Sequence, residues 1–517
     1  METLFFDRLK RPSVFLSMTL LCAVAYIVAC AVFVVGDYQN YNGDFGQYYL
    51  HAKNLLNGRS WSFLVEGYPA VLPGYSIFLA LLFAVFGDSY HVIGTANAFL
   101  WAATAVLFSL HIRDVFQREL LAFAVFLGAL VASYPVMFMQ DGQPNIFYAF
   151  SFALALWAMR QTALPFRYSA ILILIPALIR IDSLVIYVAL FMFSGFGKDR
   201  KVLWVSILGA CLTIGTDIFI ALAFGMKSNI IHFLNISGGA TDGGGFGGFV
   251  SAYMETLLGT VLRMPDILLS GELDLFQSIQ IRGSSGYFAT TSLIGLLVAF
   301  FCVVGIFSTD QRYSHSRSRD GLLSLERILL VGHLLFISLF LVNVLAVRYI
   351  LPVFPLYLLF VVLGMEACLG YFRAYRGLWV LLVAPALFLI GEATAKYDRS
   401  FAMRKNFMTT AATQEMADQV ADMKGDRPVG FHKPRLMTVL MEKRNVAKTK
   451  AIGVRDGGAA QLVLDGDGLI VTRVGLTRAV LYEWLEANSD VCSTWSSNGF
   501  AIYQNRKPER NCVENLP

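Results

Sequence analysis

One carboxylate in the amino-terminal part of the chain is suited to acid–base chemistry. Asp44 lies in the polar stretch 37–70 between two apolar segments, where water would meet a membrane. A carboxylate in such a place can act as general base on a hydroxyl or amine. Residues 45–57 have a helical pattern, so Asp44 could instead cap that helix. The two roles are compatible, because a helix start also stabilises an ionised carboxylate.

Further charged residues lie in or beside apolar runs, namely Arg180, Asp182, Asp217 and Arg348. Ionisable residues inside a membrane are costly and are therefore functional candidates. Arginine suits a phosphate ester, because its guanidinium can bind two oxygens at once and supplies fixed positive charge. For Arg180 the alternative is an internal ion pair, for example with Asp217, that only joins helices. Arg180 and Asp182 are two residues apart and would not share a face of a continuous helix.

Arg348 is the strongest of these arginines, because the topology described below places it at the external end of an apolar segment. A lipid phosphate would lie at that depth, although a terminal arginine can also simply extend its side chain to the interface. Three other polar residues in these segments are more typical of helix–helix contacts than of a site, namely His333, Asn343 and Glu366.

The composition places these residues in a membrane protein. Of the 517 residues, 56% are hydrophobic and 15% are charged, whereas soluble proteins are about 25% charged. A single soluble domain and a disordered chain are therefore excluded. No basic patch interleaved with aromatics is present, so nucleic acid is not an expected partner. Residues 396–517 hold 32 of the 77 charged residues (41 basic plus 36 acidic), which predicts a membrane body over 1–395 and a soluble domain over 396–517.

The apolar segments predict an α-helical polytopic body with about 11 transmembrane helices. A helix needs about 20 apolar residues to cross a bilayer. Arg8, Lys10 and Arg11 before the first segment put the amino end in the cytoplasm, and eleven crossings then put the carboxyl end outside. The segments are 13–36, 71–87, 90–112, 120–139, 145–160, 168–196, 202–225, 287–308, 328–347, 349–371 and 378–393, of which 168–196 carries Pro176 and Arg180-Ile181-Asp182 and could be broken in two.

Two stretches of the sequence resemble a known superfamily. The first loop and the next helix carry Asp44, Tyr48, Ala52, Leu55-Leu56, Gly58, Pro69 and Leu72-Pro73-Gly74-Tyr75, and a later stretch reads Arg348-Tyr349-Ile350-Leu351-Pro352-Val353-Phe354-Pro355. These resemble GT-C membrane glycosyltransferases, which include the protein O-mannosyltransferases and the lipid A aminoarabinose transferases. The resemblance implies transfer of a sugar from a polyprenyl-phosphate carrier on the external face. The acceptor would be a glycan, a lipid or a protein.

The resemblance also assigns residues. Asp44 corresponds to the catalytic base, but Phe45 follows it where many members have a second acid, so that acid's role does not carry over. The enzyme would be an inverting hexosyl- or pentosyltransferase of the plasma (bacterial inner) membrane, surrounded by membrane lipids. No metal or other cofactor is indicated by the sequence. The predicted substrate-binding residues are Tyr48, Lys53, Arg59, Arg180, Arg348 and Tyr349.

Two other functions stay open at this point. A transporter or flippase would show internal repeats with interrupted helices in matching positions, which the sequence does not display. A non-enzymatic envelope assembly or sensor protein would use the carboxyl-terminal domain to bind a partner. A pocket joining Asp44 to Arg348 would count against that second alternative.

The extramembrane parts carry further expectations. The glycine-rich stretch 237–249 would form a mobile lid or a plain connector. Alternating helices and strands over 404–505, including a hairpin around Asn498-Gly499, predict a small α/β extracytoplasmic domain. Its two cysteines, Cys492 and Cys512, would form a disulfide outside the cytoplasm or else remain as free thiols.

Overall fold

The structure is a computed structural model of the chain. It describes residues 14–35, 45–59, 71–132, 135, 138–139, 142–160, 165–197, 200–231, 245–263, 279–283, 286–291, 293–308, 325–340, 347–371, 411–424, 429–431, 434–444, 451–453, 469–473, 485, 490–497 and 500–505. Asp44, Cys512, the predicted helix 378–393 and the predicted domain boundary at 395 lie outside the described residues.

The membrane body is built from helices. In chain order they are α1 (Val14–Ala29), which continues as a π-helical turn (Cys30–Val34), α2 (Phe45–Leu56), α3 (Pro73–Phe86), α4 (Tyr90–Phe116), α5 (Glu119–Val131), α6 (Asn145–Arg160), α7 (Phe166–Leu174), α8 (Leu184–Gly197), α9 (Arg200–Phe224), α10 (Gly245–Arg263), α11 (Leu293–Phe307), α12 (Leu325–Phe340) and α13 (Phe354–Tyr371).

The described residues support a membrane protein without giving the eleven crossings expected from the sequence. Four helices there are long and apolar enough to span a membrane: Val14–Val32, His91–Phe116, Arg200–Phe224 and Tyr349–Cys368. The other apolar helices are shorter; they are Pro73–Phe86, Glu119–Val131, Asn145–Met159, Phe166–Leu178, Ile181–Ser194 and Leu296–Phe307.

The predicted segment 168–196 is broken in two, as Pro176 and the charged residues after it suggested. Helix α7 runs into a 3-10 turn (Ile175–Leu178), and a second 3-10 turn (Ile181–Ser183) leads into α8. Arg180, between the two turns, has an extended backbone with φ −148° and ψ 147°. The break therefore frees main-chain and side-chain groups in the middle of the helical body.

Two local predictions are corrected. The glycine-rich stretch 237–249 is not a loop throughout, because its last residues begin helix α10 at Gly245. The predicted helix 287–308 begins only at Leu293, because the residues before it form β2 (Gly286–Thr291). β2 pairs antiparallel with β1 (Ile279–Gly283), which the sequence analysis did not predict.

Two glycines let helices α11 and α13 pack in close contact. A Cβ built on Gly305 would overlap the main-chain carbonyl oxygen of Phe360, and a Cβ on Gly364 would overlap that of Phe301. Small residues that let helix backbones approach each other in this way are characteristic of packing inside membranes.

The carboxyl-terminal domain is an α/β unit, as predicted. Helices α14 (Ala411–Lys424) and α15 (Pro434–Lys443) accompany a five-stranded sheet in the order β4-β3-β5-β7-β6. β3 pairs in parallel with β4 and β5, and β7 pairs antiparallel with β5 and β6. The strands are β3 (Val429–Phe431), β4 (Ala451–Gly453), β5 (Leu469–Arg473), β6 (Val491–Ser497) and β7 (Phe500–Asn505).

The cysteines divide between the two parts of the chain. Cys492 at the start of β6 is disulfide-bonded. Its proposed partner Cys512 lies outside the described residues, so the particular pairing stays a prediction. The cysteines of the membrane body are free; they are Cys22, Cys30, Cys211, Cys302 and Cys368.

We expect Gly305→Ala and Gly364→Ala to destabilise the protein by about 1–3 kcal/mol, the usual cost of overpacking a close contact. The added methyl group would push α11 and α13 apart, which thermal unfolding in detergent would report as a lower midpoint. Gly332→Ala is the matched control, because nothing lies within 4 Å of a Cβ at this helical glycine. Equal midpoints for all three variants would contradict this account of the packing.

Candidate functional site

The break between α7 and α8 is held open by a tyrosine. The Tyr187 hydroxyl donates to the carbonyl of Ile173 (2.9 Å) and accepts from the amide of Ala177 (3.1 Å). In a continuous helix the Ala177 amide would donate directly to the Ile173 carbonyl. At the break the tyrosine hydroxyl bonds both groups instead. Tyr187 is itself buried, so the interruption belongs to the packed interior.

Arg180 projects from this break into a buried polar cluster. Its Nε donates to Asp182 Oδ1 (2.8 Å) and its Nη1 donates to Asn145 Oδ1 (2.6 Å). The guanidinium also lies over the rings of Tyr349, 4.6 Å from the centroid, and Tyr148, 5.6 Å from the centroid. Two hydrogen bonds and two rings fix the position of this cation, whose side chain is only 13% exposed.

The ion pair of Arg180 differs from the one suggested by the sequence. Its partner is Asp182, because the extended backbone at Arg180 lets two residues that are two apart meet. Asp217 instead accepts hydrogen bonds from the Ser228 hydroxyl and from the amide of Asn229 (3.0 Å). The pair of Arg180 with Asp217 that the sequence suggested is therefore wrong. Asp217 instead accepts hydrogen bonds from residues at the start of the helical turn that follows α9.

Tyr349 comes to the cluster from the turn between α12 and α13. It lies in a 3-10 helix (Val347–Val353) that leads into α13. His333 Nε2 donates to the Tyr349 carbonyl oxygen (2.7 Å) and so attaches α12 to this turn. Arg348 belongs to the same turn, and its side chain lies outside the described residues.

Helix α2 begins beside the same cluster. Phe45 is fully buried, and a Cβ on Gly142 would lie 2.6 Å from its ring. Gly142 has a φ of +60° and accepts a hydrogen bond from the Tyr75 hydroxyl (2.6 Å). Because Asn145 follows Gly142 closely in the chain, the first residue of α2 lies near the Arg180 contacts. Tyr48 packs edge-on against Tyr75, with centroids 5.3 Å apart.

Three of the predicted substrate-binding residues thus lie together. Tyr48 and Tyr349 are both within electrostatic reach of Arg180. Asn145 and Tyr148 are contributors that the sequence analysis missed. The sequence did offer a signal for Asn145, because it is a polar residue at the first position of an apolar segment. Its contact with Arg180, 35 residues away, was not readable from that position.

Lys53 and Arg59 lie towards the other end of α2 and have protein partners. Lys53 Nζ lies 3.2 Å from Asp88 Oδ2, which also accepts a short hydrogen bond from the Tyr49 hydroxyl. Arg59 Nη1 donates to both carboxylate oxygens of Glu442, at 3.0 and 3.2 Å. Glu442 belongs to α15, so this pair joins the end of α2 to the carboxyl-terminal domain. Contact of Lys53 and Arg59 with substrate stays a prediction.

Two of the polar residues expected at helix–helix contacts make such contacts. His333 joins α12 to the Tyr349 turn, and Glu366 of α13 accepts hydrogen bonds from Arg118 beside α5. Asn343 lies outside the described residues. Within the ranges that the structure describes, no group of three or more His, Cys, Asp or Glu is arranged to hold a metal ion.

Comparison with solved structures identifies the fold. ArnT from Cupriavidus metallidurans bound to undecaprenyl phosphate superimposes with a TM-score of 0.50 at 12% identity, over 96% of this chain and 99% of that one. Its apo form gives 0.51 at 13% identity, over 94% and 98%. The Archaeoglobus fulgidus oligosaccharyltransferase, in complex with Zn and sulfate, gives 0.52 at 16% identity, over 94% and 73%. No protein-family model and no curated protein matches the sequence.

The chain therefore has the fold of the GT-C membrane glycosyltransferases, as its loop motifs and the Arg348–Pro355 stretch predicted. ArnT is a lipid A aminoarabinose transferase, one of the two groups that the sequence resembles. At these identities the likeness concerns the fold, and the activity has to be argued from the site.

We expect the Arg59–Glu442 contact to couple α2 to the carboxyl-terminal domain. Arg59→Glu and Glu442→Arg should each loosen that domain, whereas the double exchange should restore it, with a coupling free energy of about 0.2–1 kcal/mol. Thermal unfolding of the four proteins measures this coupling. Arg113→Glu combined with Glu442→Arg is the control, since Arg113 pairs with its neighbour Asp114. Strict additivity of Arg59→Glu and Glu442→Arg would refute the coupling.

Proposed function

We propose that the protein is an integral-membrane glycosyltransferase that transfers a sugar from a polyprenyl-phosphate carrier to an acceptor on the external face of the membrane. The observation that carries this proposal is Arg180, a cation fixed by Asp182 and Asn145 at a break in the helical body. Helix α2, which follows Asp44 in the sequence, begins near the same cluster.

In this proposal Arg180 binds the carrier phosphate. Its two hydrogen bonds to described residues use two of the five guanidinium N–H donors, and a phosphate can engage others. The sequence-based prediction for Arg348, one residue before Tyr349, is that it contacts the same phosphate. Two arginines would stabilise the phosphate as negative charge builds up on it during departure.

The reaction we propose is a single displacement. Asp44 takes the proton from the acceptor hydroxyl or amine, and the freed electron pair attacks the anomeric carbon of the sugar. The bond from that carbon to the phosphate oxygen breaks at the same time, and its electron pair leaves with the carrier phosphate. One displacement inverts the anomeric configuration, so a hexosyl- or pentosyltransferase of this design is inverting.

The structural neighbours support the carrier part of the proposal. One of the two ArnT structures is described as bound to undecaprenyl phosphate, a polyprenyl phosphate. By analogy the partners of this chain are a polyprenyl-phosphate-linked sugar, membrane lipids and a glycan, lipid or protein acceptor. We place the amino end in the cytoplasm and the carboxyl-terminal domain outside the plasma membrane, from the distribution of basic residues.

Asp44→Asn tests the base. The variant should insert normally but lose transfer by about 10²-fold or more, the usual scale for a general base. The measurement is sugar transfer in native membranes, followed by mass analysis of envelope lipids and glycans. Asp37→Asn changes another carboxylate of the same loop and should keep its activity. Near-normal transfer by Asp44→Asn would leave that residue only a helix cap.

Arg180→Lys tests the phosphate contact, because lysine keeps the charge and loses the two-pronged geometry. We expect binding of undecaprenyl phosphate, measured by microscale thermophoresis in detergent, to weaken about tenfold. Because an unpaired Asp182 would be destabilising, the double variant Arg180→Gln/Asp182→Asn removes both charges together and should bind worse still. Arg113→Lys is the control. Unchanged affinity in the double variant would make Arg180 a structural residue.

A further inference from the structure

The Arg180 cluster contains a buried acceptor that its protein contacts do not use. Asp182 is 6% exposed, and its Oδ1 accepts from Arg180. Its Oδ2 is buried and has no hydrogen-bond partner among the described residues. Leaving a buried carboxylate oxygen without a donor is costly, so a group with N–H or O–H donors is expected to occupy this position.

His333 offers a second acceptor in the same cluster, because it bonds the carbonyl of Tyr349, whose ring lies against the Arg180 guanidinium. Its Nε2 faces the Tyr349 carbonyl, which can only accept, so Nε2 carries the proton. In the neutral ring Nδ1 is then a bare acceptor, and within the described part of the chain it too has no partner. The side chain is fully buried, and it lies within electrostatic reach of both Asp182 and Arg180.

Tyr148 completes the set with a hydroxyl group. Its ring lies under the Arg180 guanidinium, and its side chain is 1% exposed. The phenolic oxygen has no hydrogen-bond partner among the residues that the structure describes. It lies within electrostatic reach of Asp182 as well.

These three groups favour a different part of a ligand from the part that Arg180 favours. A phosphate offers few donors and would be repelled by the carboxylate of Asp182. Two acceptors and one hydroxyl match a ligand with several O–H donors in a small volume, which is the chemistry of a sugar. The guanidinium in their midst matches the phosphate attached to that sugar.

We propose that Asp182, His333 and Tyr148 form the subsite that binds the hydroxyl groups of the carrier-linked sugar. This inference rests on the proposed function. It adds that Arg180 recognises the phosphate of the donor and that the three groups recognise its sugar. A site built to bond a hydroxyl group strongly rejects an analogue without it, because the buried polar groups are then left unpaired. The subsite would therefore demand free hydroxyl groups on the donor sugar.

The test compares undecaprenyl phosphate with undecaprenyl phosphates that carry glucose, galactose, mannose or arabinose, measured on the full chain in detergent. In the wild type at least one sugar should increase affinity over the bare lipid. Asp182→Asn keeps the acceptor for Arg180 but replaces the free oxygen by a donor, His333→Gln keeps the bond to Tyr349, and Tyr148→Phe keeps the ring. His333→Gln and Tyr148→Phe should each lose about tenfold of the sugar-dependent gain while bare-lipid affinity changes less than twofold. Asp182→Asn also changes the charge beside Arg180 and so shifts the bare-lipid affinity itself. For this variant the ratio of sugar-loaded to bare-lipid affinity is compared, and it should fall about tenfold.

His111→Gln is the matched control. His111 is another buried histidine whose Nδ1 lacks a described partner, but its Nε2 faces Glu326 at 3.0 Å and not a residue of the Arg180 cluster. It should leave the gain intact. An analogue of the best-bound sugar in which fluorine replaces the hydroxyl groups cannot donate hydrogen bonds. Undecaprenyl phosphate carrying this analogue should bind the wild type no better than the bare lipid.

The outcomes separate the two proposals. If bare undecaprenyl phosphate binds and no sugar improves on it, or if the three variants keep the full gain, the subsite is refuted while the carrier site stands. Either result would mean that these polar groups bind water only. If the bare lipid does not bind the wild type, the proposed function and the subsite that rests on it both fail.

Discussion

The ion pair between Arg180 and Asp182 is the interaction on which the centre of this protein depends. It exists because the helix is broken there, and the break in turn requires partners for the groups it frees. Tyr187 supplies some of them, Asn145 binds the guanidinium, and two aromatic rings cover it. A charge in an apolar body is tolerable only when it is paired and hydrogen-bonded, so the elements that contribute these groups are constrained together.

The parts of the fold that are local in sequence were predictable. The helix break followed from Pro176 and the charges after it, and the hairpin of the carboxyl-terminal domain followed from Asn498-Gly499 between two alternating runs. Strand β4 was missed, because its three residues carry too little pattern and acquire their structure by pairing with β3. β2 was taken for the start of a helix, since its apolar residues continue into α11 without a charge between them.

The site was predictable in its residue types and less so in its contacts. Its position in an apolar segment marked Arg180 as unusual. Nothing in the sequence connects it to Asn145 or Tyr349, which other helices bring to it. The assumption of an unbroken helix led to the wrong partner, because side-chain directions in a helix do not hold for an extended residue. Phe45 shows the same limit, since its packing on Gly142 joins segments nearly a hundred residues apart.

The two ends of α2 are held by forces of different kinds. At Phe45 the contact is close packing of a fully buried ring against Gly142, which dissolved salt does not screen. At the far end it is the Arg59–Glu442 pair, whose arginine side chain is 49% exposed, and dissolved salt weakens such a pair over a screening length of about 8 Å at physiological ionic strength. Rising ionic strength should therefore weaken the link between α2 and the carboxyl-terminal domain while leaving the packing of α2 on the membrane body in place.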